Sequence, residues 1–268
     1  MIEWFDSHCH LDAPEFDVDR DVVVTEARQL GVSNFLNLPG HVDHFPAALQ
    51  SRARYGCATG LGIHPMWVRG PGGHTKRDHI ELLRDAVRTH KPDIIGEIGL
   101  DFFISDFDAP EQEWFYAEQL KIARDFDLPV ALHVRKSQDT LLKYLRRFPV
   151  RGGFAHAFNG SLQQAQAFVD LGFKLGFGGT ATYPQANRIR ALLQTVPESA
   201  IVVETDAPDI PPSFLGTMGS KARNSIAYLP RIGEMLAQIR GLPVAQFAEL
   251  TTRNAREVMG LSGEIQAC

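Results

Sequence analysis

The feature that most constrains the fold of this chain is an alternation of short β-rich runs with longer helical patterns, which occurs eight times along 268 residues. The β-rich runs are mostly apolar, as in parallel strands that are buried on both faces. In the helical segment 77–89, apolar residues recur at three- and four-residue spacing and form one face. The predicted strands are Trp4–His8, Asn34–Leu38, Ala58–Ile63, Asp93–Ile98, Pro129–His133, Gly153–His156, Lys174–Phe177 and Ile201–Glu204.

Eight strand–helix pairs without a linker or a low-complexity segment predict an α/β fold, a single (βα)8 TIM barrel that takes in residues 1–268 as one domain. A doubly wound open sheet is the structural alternative. Two extra C-terminal helices, near 228–240 and 244–259, are expected to pack outside the barrel. Pro110 favours the start of one helix, and Gly172 favours the end of the helix that begins near Ser161.

Composition narrows the setting and the partners. The N-terminus lacks a basic stretch followed by an apolar one, and no apolar run reaches the ~18 residues of a membrane span, so we expect a cytoplasmic protein. The three cysteines, Cys9, Cys57 and Cys268, are predicted to be free thiols. A net charge of −5 argues against coating long DNA duplexes, so contact with nucleic acid should be local. No obligatory protein partner is indicated.

Side chains that can bind metal fall at the carboxyl ends of the predicted strands. In a closed barrel these ends meet at one mouth, although the residues are spread over two hundred positions of sequence. For any single one of them, a satisfied core residue or a helix cap is about as good an explanation as function. Together they have no packing rationale. The residues are His8, His10, His64, Glu97, His133, His156 and Asp206.

Strand geometry suggests how these groups divide. His8 and His10 are two residues apart, so both imidazoles aim the same way while Cys9 points to the opposite side and is excluded as a ligand. His133 and His156 are expected to hold a second ion beside the first, and Glu97, taken to close strand 4, to bridge the two. Asp206 would complete the ring, binding metal and accepting a proton from the attacking water.

Imidazole and carboxylate together tolerate several metals, so zinc is expected as purified and magnesium or manganese in the working enzyme. Groups suited to an anion follow the ligands: Arg135, the turn Asn159–Gly160–Ser161, and Arg223 after strand 8. Lys136 is read as a solvated charge. The remaining histidines are assigned to the solvated surface; they are His41, His44, His74, His79 and His90.

Seven segments in order resemble the motifs of the TatD family of metal-dependent deoxyribonucleases, in particular its YjjV-like branch: FDSHCHLD, GIHP, IIGEIGLD, LPVALHVRKS, HAFNGS, VVETDAPD and RNSIAYLP. The resemblance implies an amidohydrolase-like barrel, the metal ligands named above, and His64 at the substrate phosphate as a substrate-binding or catalytic residue. The chain departs from the family pattern at Lys136, where an acidic residue is common, at Asn159, where serine is common, and at 223–226, which often reads RNxP.

The leading functional prediction is a two-metal hydrolase of phosphodiester bonds that acts on DNA ends or single strands, with Glu97, Asp206 and His64 as catalytic residues and His64, Arg135, Asn159 and Arg223 as substrate contacts. A second hypothesis is ester or amide hydrolysis, including an aminoacyl ester on tRNA, because the same chemistry attacks carbonyls. A third is a non-catalytic metal or nucleic-acid binder, which the net charge and the number of convergent ligands disfavour.

Overall fold

The computed structural model describes residues 2–68, 77–106 and 108–261. Eight parallel strands follow one another in chain order, each hydrogen-bonded to the next. Every predicted strand is present, with bounds that differ by one to three residues. The strands are β1 Trp4–Cys9, β2 Val32–Asn37, β3 Ala58–Leu61, β4 Ile94–Asp101, β5 Val130–Arg135, β6 Gly153–Ala155, β7 Phe173–Phe177 and β8 Ile201–Val203.

Hydrogen bonds between β1 and the residues around the end of β8 close the sheet into a barrel. The buried carboxylate of Asp6 accepts from the amide of Thr205 at 2.9 Å and from its hydroxyl at 2.6 Å. The amide of Asp206 donates to the carbonyl of His8 at 2.9 Å, and Ser7 Oγ donates to the carbonyl of Val203 at 3.1 Å. The predicted barrel is therefore confirmed, and the open-sheet alternative is wrong.

Helices connect the strands, and their ends follow the predicted signals. The helix that contains Pro110 in its first turn begins after Asp108, whose carboxylate accepts from the amide of Glu111 at 3.0 Å. Gly172 has φ 84°, a left-handed conformation suited to the residues just past a helix end. The helices are α1 Arg20–Gln29, α2 Phe45–Tyr55, α3 His79–His90, α4 Ala109–Asp125, α5 Gln138–Arg147, α6 Leu162–Asp170, α7 Asn187–Thr195, α8 Leu229–Arg240 and α9 Val244–Val258.

An apolar layer fills the barrel toward the amino ends of the strands. Its buried residues on the strands, or directly after one in the case of Leu38, are Phe5, Leu36, Leu38, Ala58, Ile94, Ala131, Phe154 and Val202. Ala255 of α9 belongs to the same cluster, and Val258 and Met259 pack against it. The two C-terminal helices therefore differ: α8 packs on the outer face, where Gly233 lies against the Trp4 ring, whereas the end of α9 covers the inner layer.

Two expectations from composition can be compared with the structure. No helix in the described ranges is long and apolar enough to cross a membrane. Cys9 and Cys57 are buried free thiols, as predicted, whereas Cys268 lies outside the described residues.

Candidate metal centre

The opposite, carboxyl end of the barrel brings the seven predicted side chains together, with Glu97 among the histidines. The Glu97 carboxylate is almost fully buried. Its Oε2 lies 3.2 Å from His8 Nε2 and 3.5 Å from His10 Nε2. Its Oε1 lies 2.9 Å from His133 Nδ1 and 3.6 Å from His64 Nε2. One carboxylate thus presents one oxygen to each of two histidine pairs, which is the arrangement of a ligand that bridges two cations.

The position of Glu97 corrects the prediction that it closes strand 4. Strand β4 continues to Asp101, because Gly99, Leu100 and Asp101 pair with residues 133–135 of β5. Gly99 has φ +145°, and a Cβ there would collide with the carbonyl oxygen of His133. Glycine therefore allows the two strands to approach closely enough for Glu97 and His133 to share the site.

Strand alternation at the end of β1 works as predicted. His8 and His10 point into the centre, and their Nε2 atoms are 3.4 Å apart. Cys9 points away and its thiol donates to the carbonyl of Leu36 at 3.3 Å, within the outer apolar core. The Nδ1 of His10 lies 2.6 Å from the carbonyl of Leu38, a bond that fixes the orientation of the imidazole.

The donors form three overlapping sets, in each of which the ligand atoms lie within 4.8 Å of one another. His156 does not pair with His133 as the sequence suggested. Its ring stacks on that of His8 at 3.8 Å, and its Nε2 lies 3.6 Å from Asp206 Oδ1. The neighbour of His133 is His64, whose Nε2 lies 3.0 Å from His133 Nδ1. The sets are His8, His10 and Asp206; His8, Glu97 and His156; and His64, Glu97 and His133.

The local electric field is set by burial and by the mixture of acids and imidazoles. Burial alone lowers the pKa of His10, but the hydrogen bond and charge of Asp206 outweigh it and raise the pKa to about 10. Burial likewise opposes the charges of Asp206 and Glu204 at His156, and those charges raise its pKa to about 10. Burial raises the pKa of Glu97, but the charges of the neighbouring imidazoles hold it well below its usual range. The Glu97 carboxylate is therefore ionised near neutral pH.

The donor set fits divalent cations. Among the described residues, His8 Nδ1 is a buried polar atom without a hydrogen-bond partner, and Asp206 Oδ1 faces the Nε2 atoms of His8 and His10 at 3.4 and 3.3 Å. Two pairs of imidazole nitrogens also lie 3.0 and 3.4 Å apart at the centre, each pair joined by a hydrogen bond whose direction depends on which nitrogen carries the proton. A buried polar atom without a hydrogen-bond partner is costly unless an ion or a water molecule binds it. Mixed imidazole and carboxylate donors suit zinc, manganese and related ions.

Two carboxylates that the sequence analysis did not assign hold the ligand imidazoles in place. Asp101 Oδ2 lies 3.0 Å from His133 Nε2, and Glu204 Oε1 lies 3.0 Å from His156 Nδ1. A carboxylate on the far nitrogen fixes the tautomer of a ligand histidine and raises its basicity. Both acids are buried and lie at or just after strand ends, within the strings GLD and ETD, and a buried acid in such a place requires a partner.

The predicted substrate contacts fare differently. Arg135 is exposed at the rim of the centre, with Nη1 3.8 Å from Asp101 Oδ2. Arg223 is not brought to the centre: it donates two bonds, of 2.8 and 2.6 Å, to the carboxylate of Asp19. Asn159 is half-buried and its side-chain oxygen accepts from Gln138 Nε2 at 3.1 Å.

The turn that contains Asn159 also differs from its predicted role as a phosphate-binding turn. Ser161 and Gln164 form a reciprocal capping box at the start of α6. The amide of Ser161 donates to the Gln164 side chain at 2.9 Å, and the amide of Gln164 donates to Ser161 Oγ at 3.1 Å. Two of the first amides of the helix are thus already satisfied.

The histidines assigned to the surface divide into two kinds. His90 is exposed and His44 half-buried, whereas His41 and His79 are buried, so the surface prediction is wrong for these two. The rings of His41 and His79 are 5.0 Å apart, and His41 lies 5.7 Å from Trp67. They are covered because the loop after β2, the turn after His64 and the start of α3 pack together. His74 lies outside the described residues.

Fold and donor set define a metal-dependent hydrolase built on a βα barrel. The model of the TatD related DNase family matches residues 5–260, and the chain belongs to that family.

Individual relatives support this assignment along nearly the whole chain. YjjV of Escherichia coli K12, an uncharacterized metal-dependent hydrolase, is 37% identical over 258 residues, which cover 95% of this chain and 96% of that protein. Its crystal structure superposes with a TM-score of 0.87, at 35% identity, over 95% of this chain and 97% of that one. The 3′-5′ ssDNA/RNA exonuclease TatD of Salmonella typhimurium is 33% identical over 260 residues, covering 94% and 97%.

A more distant protein shares the barrel fold. An uncharacterized amidohydrolase from Saccharomyces cerevisiae superposes with a TM-score of 0.78, over 96% of this chain and all of that one. Its sequence is only 16% identical, so this likeness concerns the fold alone.

Proposed function

We propose that this protein is a metal-dependent nuclease that hydrolyses phosphodiester bonds at single-stranded or frayed ends of DNA. The observation that carries the proposal is the Glu97 carboxylate, with one oxygen directed at each of two histidine pairs. A relative of similar length is named a 3′-5′ ssDNA/RNA exonuclease, which supports nucleic acid as the substrate class. We expect zinc in the purified protein and magnesium or manganese in the working enzyme.

His8, His10, Glu97, His133, His156 and Asp206 would hold the ions, with His64 beside them. Two divalent cations, when bound, supply Lewis acidity toward a phosphoryl oxygen and lower the pKa of water. The protein contributes the proton acceptor. Burial opposes ionisation of Asp206, but the charge of His156 and the bond to His10 outweigh it and lower the pKa of Asp206 to about 2. Its carboxylate is therefore ionised near neutral pH, as a proton acceptor must be.

His64 and Arg135 supply different contacts to the substrate phosphate. Burial lowers the pKa of His64 to about 3, so the imidazole is neutral near pH 7 and acts by donating a hydrogen bond. Arg135 is a permanent cation and is exposed at the rim. Arg223 and Asn159 are left out of the proposed set, because Asp19 and Gln138 already occupy them.

The test compares single-stranded and blunt duplex oligonucleotides after the protein is stripped with a chelator and reloaded separately with zinc, manganese or magnesium. We expect the single strand to be shortened stepwise from one end only when metal is present. The variant Asp206→Asn should bind metal but lose most turnover. If the protein hydrolyses an aminoacyl ester but leaves the oligonucleotides intact, the esterase hypothesis is favoured. If the metal-loaded protein binds the single strand without cleaving it, the non-catalytic hypothesis is favoured.

A further inference from the structure

An exposed aromatic ring at the rim of the centre carries two cations. Phe103 follows β4 and is 53% exposed, which is unusual for so large an apolar residue. The guanidinium carbon of Arg135 lies 4.1 Å from the ring centroid, and Lys136 Nζ lies 4.7 Å from it. We call Phe103, Arg135 and Lys136 the rim clamp.

The rim clamp is tied to the metal centre through one carboxylate. Asp101 Oδ1 accepts from the amide of Phe103 at 2.9 Å and from that of Ile104 at 3.3 Å. Its other oxygen bonds His133, a predicted ligand, at 3.0 Å. Asp101 therefore links the clamp to the metal centre. The same carboxylate orients His133 and holds the backbone that positions Phe103.

The charge of the clamp is suited to an anion. Both cations are exposed, and in the part of the chain that the structure describes no carboxylate lies within 4 Å of Lys136 Nζ. The nearest acid to Arg135, Asp101 at 3.8 Å, is engaged with His133. An accessible ring combined with two available cations offers a stacking surface for a flat base and contacts for the phosphates beside it.

We propose that the rim clamp binds one unpaired nucleotide next to the bond that is cut: its base stacks on the layered surface formed by Phe103 and the Arg135 guanidinium, and Arg135 and Lys136 contact its phosphates. The inference rests on the proposed nuclease function and adds to it a reason for strand selectivity. A base within a duplex is already stacked and paired, so only a single-stranded or frayed end can enter the clamp without the cost of unpairing.

The test is a double-mutant cycle that combines a protein variant with a modified DNA. Phe103→Ala and wild type are each measured with fluorescein-labelled single strands in which one abasic position is moved stepwise along the strand. Binding is measured by anisotropy in chelator, and turnover with metal. We expect Phe103→Ala to weaken binding about tenfold, as for loss of one stacked base. An abasic residue at one position should weaken binding to wild type by a similar factor but should not change binding to Phe103→Ala. The variant Phe103→Trp should retain the affinity of wild type. Equal abasic penalties in wild type and Phe103→Ala at every position would overturn the proposal.

Charge has a matched control on the outer helix α5. Lys136→Glu should weaken binding of the strand and reduce its salt dependence, whereas Lys143→Glu, the same charge change on an exposed residue of α5, should do neither. If the two variants weaken strand binding equally, Lys136 acts only through the net charge of the protein, and its place in the clamp is overturned. If wild type neither binds nor cleaves any oligonucleotide, the proposed function itself fails. If wild type cleaves but Phe103→Ala matches it, only the clamp fails.

Discussion

The two ends of the barrel interior are both buried, yet they have opposite chemistry. At the amino end, side chains such as Phe5, Ile94 and Phe154 fill the space with apolar atoms. At the carboxyl end, most of the imidazoles and carboxylates are buried as well, and some of their polar atoms, such as His8 Nδ1, have no partner among the described residues. The first end contributes stability through burial. The second gives up some stability to present ligands, as is common at functional sites.

Strand β4 carries both chemistries three residues apart, and this allows the sharpest test of the contrast. Glu97→Gln removes the charge that faces both histidine pairs and keeps the size of the side chain. We expect turnover to fall about a thousandfold or more, since several kcal/mol of charge stabilisation depend on the ions. Metal content by mass spectrometry should fall in parallel. Full turnover in this variant would show that the centre does not depend on Glu97.

Ile94→Ala, on the same strand, should have the reverse profile. Ile94 is completely buried in the apolar layer, so truncation should lower the free energy of unfolding by about 2–5 kcal/mol. Ile94→Val provides the graded control, with an expected loss of about 0.5–1.5 kcal/mol. Denaturant unfolding measures both. At a temperature where the variants remain folded, metal content and turnover should match wild type, and a selective loss of metal would contradict the separation of the two ends.

The same contrast explains what could be predicted from sequence. Apolar periodicity and strand ends define the barrel and the mouth, so the meeting of residues as far apart as His8 and Asp206 followed from topology alone. The end of β4 was placed at Ile98, but Gly99 lets the strand continue against β5. Local pattern carries no information about close approach of a neighbouring strand.

Side-chain partners were harder to predict than strand ends. Asp101 and Glu204 stand in the strings that define the site, but their role depends on which nitrogen of a distant histidine they meet. His41 looks like any loop histidine, and only tertiary packing against His79 and Trp67 buries it. Arg223 was placed at the substrate because it follows β8; its bond to Asp19 of the loop before α1 cannot be read from local sequence.

Protons provide a further test that distinguishes the two ends. In the metal-free protein His10 and His156 have pKa values raised to about 10, so both hold a proton near neutral pH. A cation must displace these protons, and its affinity should therefore rise with pH, about tenfold per pH unit for each proton released. Calorimetric titration with zinc between about pH 6 and pH 8, in buffers of different ionisation enthalpy, counts the protons. An affinity that is independent of pH would contradict the raised pKa values.

The smallest expected effect concerns Arg223, which belongs to neither end of the barrel interior. Its ion pair with Asp19 is about one-third exposed on both sides, so screening by solvent keeps its contribution to stability small. Arg223→Ala and Asp19→Ala should each lower the free energy of unfolding only slightly, and the double variant should lose no more than either single one. Turnover and KM on a single strand should stay within about twofold of wild type. A tenfold rise in KM for Arg223→Ala that Asp19→Ala does not share would return Arg223 to the substrate contacts and extend the functional end of the barrel as far as this ion pair.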